Sequence, residues 1–159
     1  MKRFIQIGLC LLAVLPVIAA AQTACASVAG RFVPSGDEVR DSKTGLVWAR
    51  CSVGQTWGGA TCTGTVSALT HESALSMAQN STGWRLPNVK ELAGLADKGC
   101  KSPAIDGAAF PDTPPVWYWS STPNVTQGGS PWAVNFDNAV VAYFFGGSTA
   151  QARLVRIGP

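Results

Sequence analysis

The sequence predicts an exported α+β domain with two helices, a loop-rich antiparallel sheet and disulfide staples. Three observations carry that prediction: an N-terminal segment built like a secretory signal, an even number of cysteines behind it, and helical periodicity that gives way to strand periodicity after Val116.

Met1, Lys2 and Arg3 form a short positive segment, Phe4 to Ala19 an apolar run, and Ala19 and Ala21 an A-x-A cleavage pattern before Gln22. Gln6 and Pro16 interrupt the run, which is shorter than the roughly 20 residues that span a bilayer, so cleavage is preferred over an uncleaved anchor. Cys25 follows closely, but Gln22, Thr23 and Ala24 do not make a leucine-led lipobox. The expected organisation is a signal peptide over 1–21 and one domain over 22–159, with no membrane contact after cleavage. Loss of Lys2 and Arg3 takes the 12 basic residues to 10 against 9 acidic ones, and the formal net charge from +3 to about +1. A nearly neutral chain gives little support to a nucleic-acid partner, which calls for a basic face.

Cys10 lies within the signal, leaving Cys25, Cys51, Cys62 and Cys100. Four is an even number for an oxidising compartment. Of three possible connectivities, Cys51 to Cys62 with Cys25 to Cys100 is favoured, because Gly54, Gly58 and Gly59 let the intervening segment close a tight loop. No C-x-x-C spacing supports zinc.

Short strands with turns are expected from Arg31 to Trp48, most clearly at the Ser42 to Gly45 turn into Leu46, Val47 and Trp48. A first helix is expected from about Thr70 to Gln79, with Thr70 as N-cap and Leu75 and Ala78 facing inward. A second helix of about ten residues follows Asn88, which with Glu91 makes a capping box. Val89, Leu92, Leu95 and Ala96 recur at helical spacing, and Gly99 is the expected stop. Trp117 to Ser121, Trp132 to Phe136, Val140 to Phe145 and Ala152 to Ile157 read as strands, with Asp137-Asn138 and Gly146-Gly147 as turns. The irregular stretches 51–66 and 101–115 must pack through rings, prolines and disulfides.

Six segments in order carry a family resemblance: DSKTGLVWARCSVGQTWGGATCTG, GWRLPNVKELAGLAD, AIDGAAFPDTP, YWSSTP, WAVNF and RLVR. Together they resemble the Lcl C-terminal-like domain, a bacterial family that takes its name from the end of a collagen-like adhesin. The resemblance implies a C-type-lectin-like fold with the chain's ends close together. It also brings sulfated-polysaccharide binding, associated with the named adhesin, into view, although fold alone does not transfer function. The WRLP segment with its acidic helix is similar, too, to the formylglycine-generating, sulfatase-modifying enzymes that share the fold.

Arg85, Asn88 and Glu91 form a polar group, but helix capping and loop bonding account for each. Trp117, Tyr118, Trp119, Trp132 and Tyr143 give the late strands a high aromatic density, and strand alternation places about half of them on the core side. The candidate ligand-binding set is Trp119, Asn124, Gln127, Trp132, Asn135, Asp137, Asn138 and Tyr143, rings for stacking on sugar faces and amides for hydrogen bonds. Calcium-dependent lectins of this fold use Glu-Pro-Asn or Gln-Pro-Asp and Trp-Asn-Asp strings. Here Leu86 and Thr122 precede the Pro-Asn pairs at 87–88 and 123–124, and Trp-Asn-Asp is missing, so no metal or cofactor is expected. For an anion, Lys90, Lys98 and Lys101 are a helix-face set, and Arg153 and Arg156, three apart, point to opposite sides of a strand. Catalysis has little to build on: His71 is the only histidine, HESAL is not H-E-x-x-H, and no cysteine follows Cys100 to hold the copper of the sulfatase-modifying enzymes.

The expectation is a non-enzymatic, exported binding module, located in the periplasm, on the outer surface or in the medium, that recognises a carbohydrate, sulfated polysaccharide included, or a cell-surface protein. An oligomer would let weak sites act together. The alternative is a structural or assembly subunit of the periplasm, envelope or a pilus; a sulfatase-modifying type of enzyme ranks third.

Overall fold

Turn chemistry sets up the first layer. In the computed structural model, which describes residues 29–145 and 147–159, Gly36 at φ 59° and Asp37 make a two-residue turn between β1 (Phe32–Ser35) and β2 (Glu38–Asp41). Gly45, at φ 75°, donates its N–H to the Asp41 carbonyl at 2.8 Å and leads into β3 (Leu46–Ala49). Two small strands, β4 (Thr56–Trp57) and β5 (Cys62–Thr63), form a hairpin, and β6 (Leu69–Thr70) runs into α1 (His71–Gln79). After α2 (Val89–Leu95) come β7 (Trp117–Asn124), a single 3₁₀ turn (Val125–Gln127), β8 (Ser130–Asn135), β9 (Val140–Tyr143), β10 (Thr149–Ala150) and β11 (Val155–Ile157).

All strand ladders are antiparallel, in the orders β1-β2-β3-β11, β7-β8-β9, β4-β5 and β6-β10. This is the predicted α+β, disulfide-stapled fold. β1 and β11 are the opposite edges of one sheet, so an early and a late strand share a layer.

The helices differ in detail from the sequence reading. Thr70 caps α1 as expected, its hydroxyl accepting from Ser73 N at 3.2 Å, but Ala74 and Ala78 are the buried pair while Leu75 stays half-buried. Asn88 and Glu91 make the predicted capping box on α2. The helix then stops at Leu95 instead of running on towards Gly99, because Ala96 turns extended to bridge Ile105 and Asp97 N donates to the Ala104 carbonyl at 2.9 Å. Strand pairing takes the backbone groups that another helical turn would have used.

The last expected strand, Ala152 to Ile157, is cut to β11 over Val155–Ile157, and an unexpected short strand, β10, precedes it. β10 pairs with β6 and β11 with β3, while Gln151 between them bonds the backbone of Trp117 and Trp119 at 2.9 and 2.8 Å. Val155 and Arg85 then exchange two backbone bonds of 2.9 Å each. Residues 149–157 therefore tie every other layer together.

Side chains fill both faces of the β7-β8 pair. Tyr118 and Val134 belong to a cluster with Trp48, Leu92, Leu95, Phe110 and Phe136; Trp119 and Ala133, on the other face, join Ala74, Ala78, Leu86 and Leu154. Strand alternation alone predicts one wet face, and the packing of one helix on each side removes it.

Cys51 and Cys62 form the predicted staple. Cys62 N also donates to Asp112 Oδ2 at 2.9 Å, fixing the loop to the 101–115 stretch. Within it Gly54 sits at φ 94°, where a Cβ would come within 2.4 Å of the Thr65 carbonyl oxygen, so only glycine fits. Cys100 is disulfide-bonded as well. Its predicted partner Cys25 lies outside the described residues, as does the predicted signal over 1–21.

Arg153 is fully buried and serves as a polar centre. Nη1 donates to the Ala49 carbonyl at 2.8 Å and to the Arg50 carbonyl, Nη2 donates to Thr113 Oγ1 at 2.7 Å and Ser52 Oγ at 3.2 Å, and the guanidinium lies 4.9 Å from the Phe110 ring centroid.

Two stability predictions follow from these contacts. Cys62→Ala, which opens an eleven-residue separation, is expected to cost about 2 to 4 kcal/mol in urea denaturation. Arg153→Met keeps the bulk but orphans several buried acceptors at about 1 to 3 kcal/mol each, so a loss of about 3 kcal/mol or more is expected in the same measurement. A loss below about 1 kcal/mol would remove Arg153 from its central place.

Candidate functional site

The aromatic residues of the last sheet divide by exposure. Trp119 is a core residue: it is 1% exposed, and its indole N–H donates to the Leu69 carbonyl at 2.7 Å. Trp132 on β8 and Tyr143 on β9 are directly paired across the ladder, with ring centroids 5.5 Å apart, edge to face. Phe145 continues the series 5.9 Å from Tyr143 and is 67% exposed. The three rings run from β8 across β9 to the residue two beyond its end.

Beside it is a cleft of about 430 Å³ lined by His71, Glu72, Trp119, Pro131, Phe145 and Ser148. Phe145 belongs to both features. The cleft exists because Thr70 starts α1 with its first residues turned towards β8, and the His71 ring packs edge-on against Trp119 at 5.5 Å. His71 Nε2 lies 2.9 Å from the Ser120 carbonyl; since a carbonyl only accepts, Nε2 carries the hydrogen and Nδ1 is left for another partner.

The amide members of the predicted set go elsewhere. Asn124 is buried, and its Oδ1 accepts from Thr126 N at 3.2 Å and Thr126 Oγ1 at 2.7 Å to cap the 3₁₀ turn. Gln127 is exposed in that turn, its carbonyl accepting from Ser130 Oγ at 2.7 Å. Asn135 Oδ1 accepts from Asp137 N at 2.8 Å and Asn138 Oδ1 from Val140 N at 3.2 Å, while Asp137 accepts from Ser102 Oγ. These three build the β8-β9 turn, three register steps from Trp132, or about 10 Å. Of the eight predicted residues, the structure brings together Trp132 and Tyr143 as a surface, with Trp119 as the cleft wall behind them. Sequence reading did not select Phe145, Pro131, His71 or Glu72; an exposed phenylalanine just before a double glycine was the available signal.

Three arginines are committed to carboxylates. Arg31 pairs with Asp41, Arg85 with Glu91 and Arg156 with Glu38, at 2.8, 2.8 and 2.7 Å. Arg85 holds both Glu91 oxygens, and Glu91 Oε2 also accepts from Asn88 N at 2.8 Å, so the WRLPN segment is a helix-entry knot. Among the described residues no three of His, Cys, Asp and Glu cluster as a metal site, and no helix is long and apolar enough to cross a membrane.

The model of the Lcl C-terminal domain matches residues 37–156, from the first turn to β11. The chain belongs to the Lcl C-terminal domain family. No curated protein and no solved structure matches it. Within this Lcl C-terminal domain the WRLPN and RLVR segments are thus framework: Arg85 and Arg156 hold turns, Arg153 holds loops, and the ladder and cleft occupy the remaining β8-β9 surface.

The ion pairs set a pH limit. The Arg85 bond holds the Glu91 carboxyl below its ordinary range against the opposing effect of burial, with help from Asn88 N. Burial pushes Asp41 up, but bonds from Arg31, Lys43 N and Thr44 outweigh it and leave it lowered. Carboxyls depressed by folding contribute stability above their unfolded values and lose it as pH falls through the folded ones. Urea midpoints are expected to decline below about pH 4.5, and Glu91→Gln to flatten part of that decline. An identical decline in Glu91→Gln would locate the effect elsewhere.

Proposed function

We propose that this Lcl C-terminal domain is an exported, non-enzymatic module that binds carbohydrate on the Trp132, Tyr143 and Phe145 ladder and in the cleft beside it. One observation carries the reading: four of the eight large hydrophobic residues exposed among the described residues fall between Val140 and Phe145, and one of them, Phe145, lines a concave site. An exposed apolar patch of that kind marks a contact surface. Sugar rings present C–H faces to aromatic rings and hydroxyls to polar groups, and the cleft supplies both, with Glu72 and the free His71 Nδ1 as partners.

Charge directs the reading to neutral glycans ahead of sulfated ones. Glu72 lines the cleft, and the arginines at 31, 85 and 156 are already paired. The N-terminal signal pattern and the Cys51 to Cys62 bond support export, since disulfides persist in oxidising compartments. The uncovered edge of β9 favours a second reading, a subunit of an envelope or pilus assembly.

A glycan array carrying neutral and sulfated sugars, probed with the purified protein, tests the first reading. Neutral glycans are expected to rank first, and Phe145→Ala and Tyr143→Ala to weaken binding about tenfold or more with little change in Tm. Absence of binding at high micromolar protein, with or without calcium, sinks the carbohydrate reading.

A further inference from the structure

The edge of β9 has a chemistry distinct from its ring-bearing face. In an antiparallel ladder, pairs that exchange hydrogen bonds alternate with pairs that do not. Phe144 N donates to the Pro131 carbonyl at 3.0 Å, which marks the 131/144 pair as bonded. By the register, Ala142 and Val140 likewise point their backbone groups at β8, and Val141 and Tyr143 point theirs outward. β9 is the last strand of its sheet, so among the described residues those outward groups have no strand beside them.

Natural edges are usually blunted by charge, proline or a covering element. The β9 sequence, Val-Val-Ala-Tyr, carries neither charge nor proline, and Val140 and Val141 are 47% and 41% exposed. Alongside runs a groove of about 470 Å³ in which Ala93 and Ala96 face Ala139, Val140 and Val141, with Lys98 in its wall. Three alanines leave room for incoming side chains. Lys98 makes no ion pair among the described residues, and the neighbouring Asp97 is occupied by Gly99 N at 2.8 Å.

We infer that β9 accepts an extended C-terminal peptide of another protein as an added antiparallel strand, with the peptide's carboxylate at Lys98. Direction follows from geometry. A strand antiparallel to β9 ends beside the start of β9, and the groove with Lys98 lies at that end, against residues 138–141. Main-chain bonds to Val141 and Tyr143 supply affinity, the alanine-lined groove takes alternate apolar side chains, and the positive charge selects a free terminus. This deepens the assembly reading and is independent of the sugar site.

The test uses an array of synthetic hexapeptides with free C-termini and apolar residues at alternate positions, followed by anisotropy titrations of the best binders and their amidated forms. Val141→Pro removes an outward N–H and keeps the inward ladder, as edge positions tolerate; Lys98→Glu reverses the charge and touches no backbone. Val141→Pro is expected to abolish binding. Amidation and Lys98→Glu are each expected to weaken it about tenfold, and amidation to cost nothing further in Lys98→Glu. No binder on the array overturns the proposal, as does undiminished binding by Lys98→Glu or by a folded Val141→Pro. An envelope complex that survives both substitutions would keep the assembly reading and remove strand addition.

Discussion

Arg153 is the constraint on which the irregular half of the molecule depends. Taking a guanidinium out of water costs several kcal/mol, and it is tolerated only where the group's hydrogens find oxygens. Here those on Nη1 and Nη2 find two carbonyls and two hydroxyls on segments far apart in the chain, at 49–52 and 113, while the buried Nε has no partner among the described residues. Ser52 in turn shares a 2.6 Å hydrogen bond with the Tyr118 hydroxyl, and Thr113 Oγ1 donates to the Phe110 carbonyl at 2.8 Å. Loops that have no ladder of their own thus acquire a common anchor. Burial lowers the Arg153 pKa and raises that of Tyr118; the phenol is thereby held neutral, and the guanidinium stays a cation despite its burial because its ordinary value is so high.

The remaining arginines extend the same logic outward. Arg156 binds Glu38 across the first sheet and lies 5.4 Å from the Trp84 ring, while Arg85 fixes the start of α2 through Glu91. The first pair ties the 153–157 segment to another strand of its own sheet, and the second ties its bridge partner to α2. Arg85 and Val155 are themselves bonded through their backbones. A chain with sparse charge therefore spends its guanidinium groups on internal order, and the surface around the ladder is left to rings and neutral polar atoms.

Local signals made some of this legible in the sequence. Asn88 and Glu91 at capping-box spacing, Thr70 before a helical run, and Cys51 and Cys62 around a glycine-rich loop each specify a structure through neighbours a few residues away. The stop of α2 was not legible, because Ala96 leaves the helix for a bridge to Ile105, a contact no local pattern contains. Arg153 could be noticed, as a charge among Ala152, Leu154 and Val155, but its partners lie 40 to 104 residues away. The candidate site was legible in its rings and less so in its amides. Asn135, Asp137 and Asn138 looked available for a ligand, yet the hairpin turn uses both asparagines to receive its own N–H groups and Asp137 is taken by Ser102 Oγ.

Why the ladder and the open edge both fall on β9 is a matter of layer count. α1 covers one face of the β7-β8 pair and α2 the other, so Trp119 and Tyr118 are buried on opposite sides. The third strand meets only the end of α2, at the groove that Ala93 and Ala96 share with Val140 and Val141, and its one ring, Tyr143, packs edge to face with Trp132 and Phe145 along the ladder. Strand geometry then separates two surfaces that meet at Tyr143: side chains stand above and below the sheet, and backbone donors lie in its plane. Trp132, Tyr143 and Phe145 face outward from the sheet, whereas the Val141 and Tyr143 amides face sideways. A ligand on the rings and a strand on the edge need not compete, because they approach β9 along directions close to perpendicular.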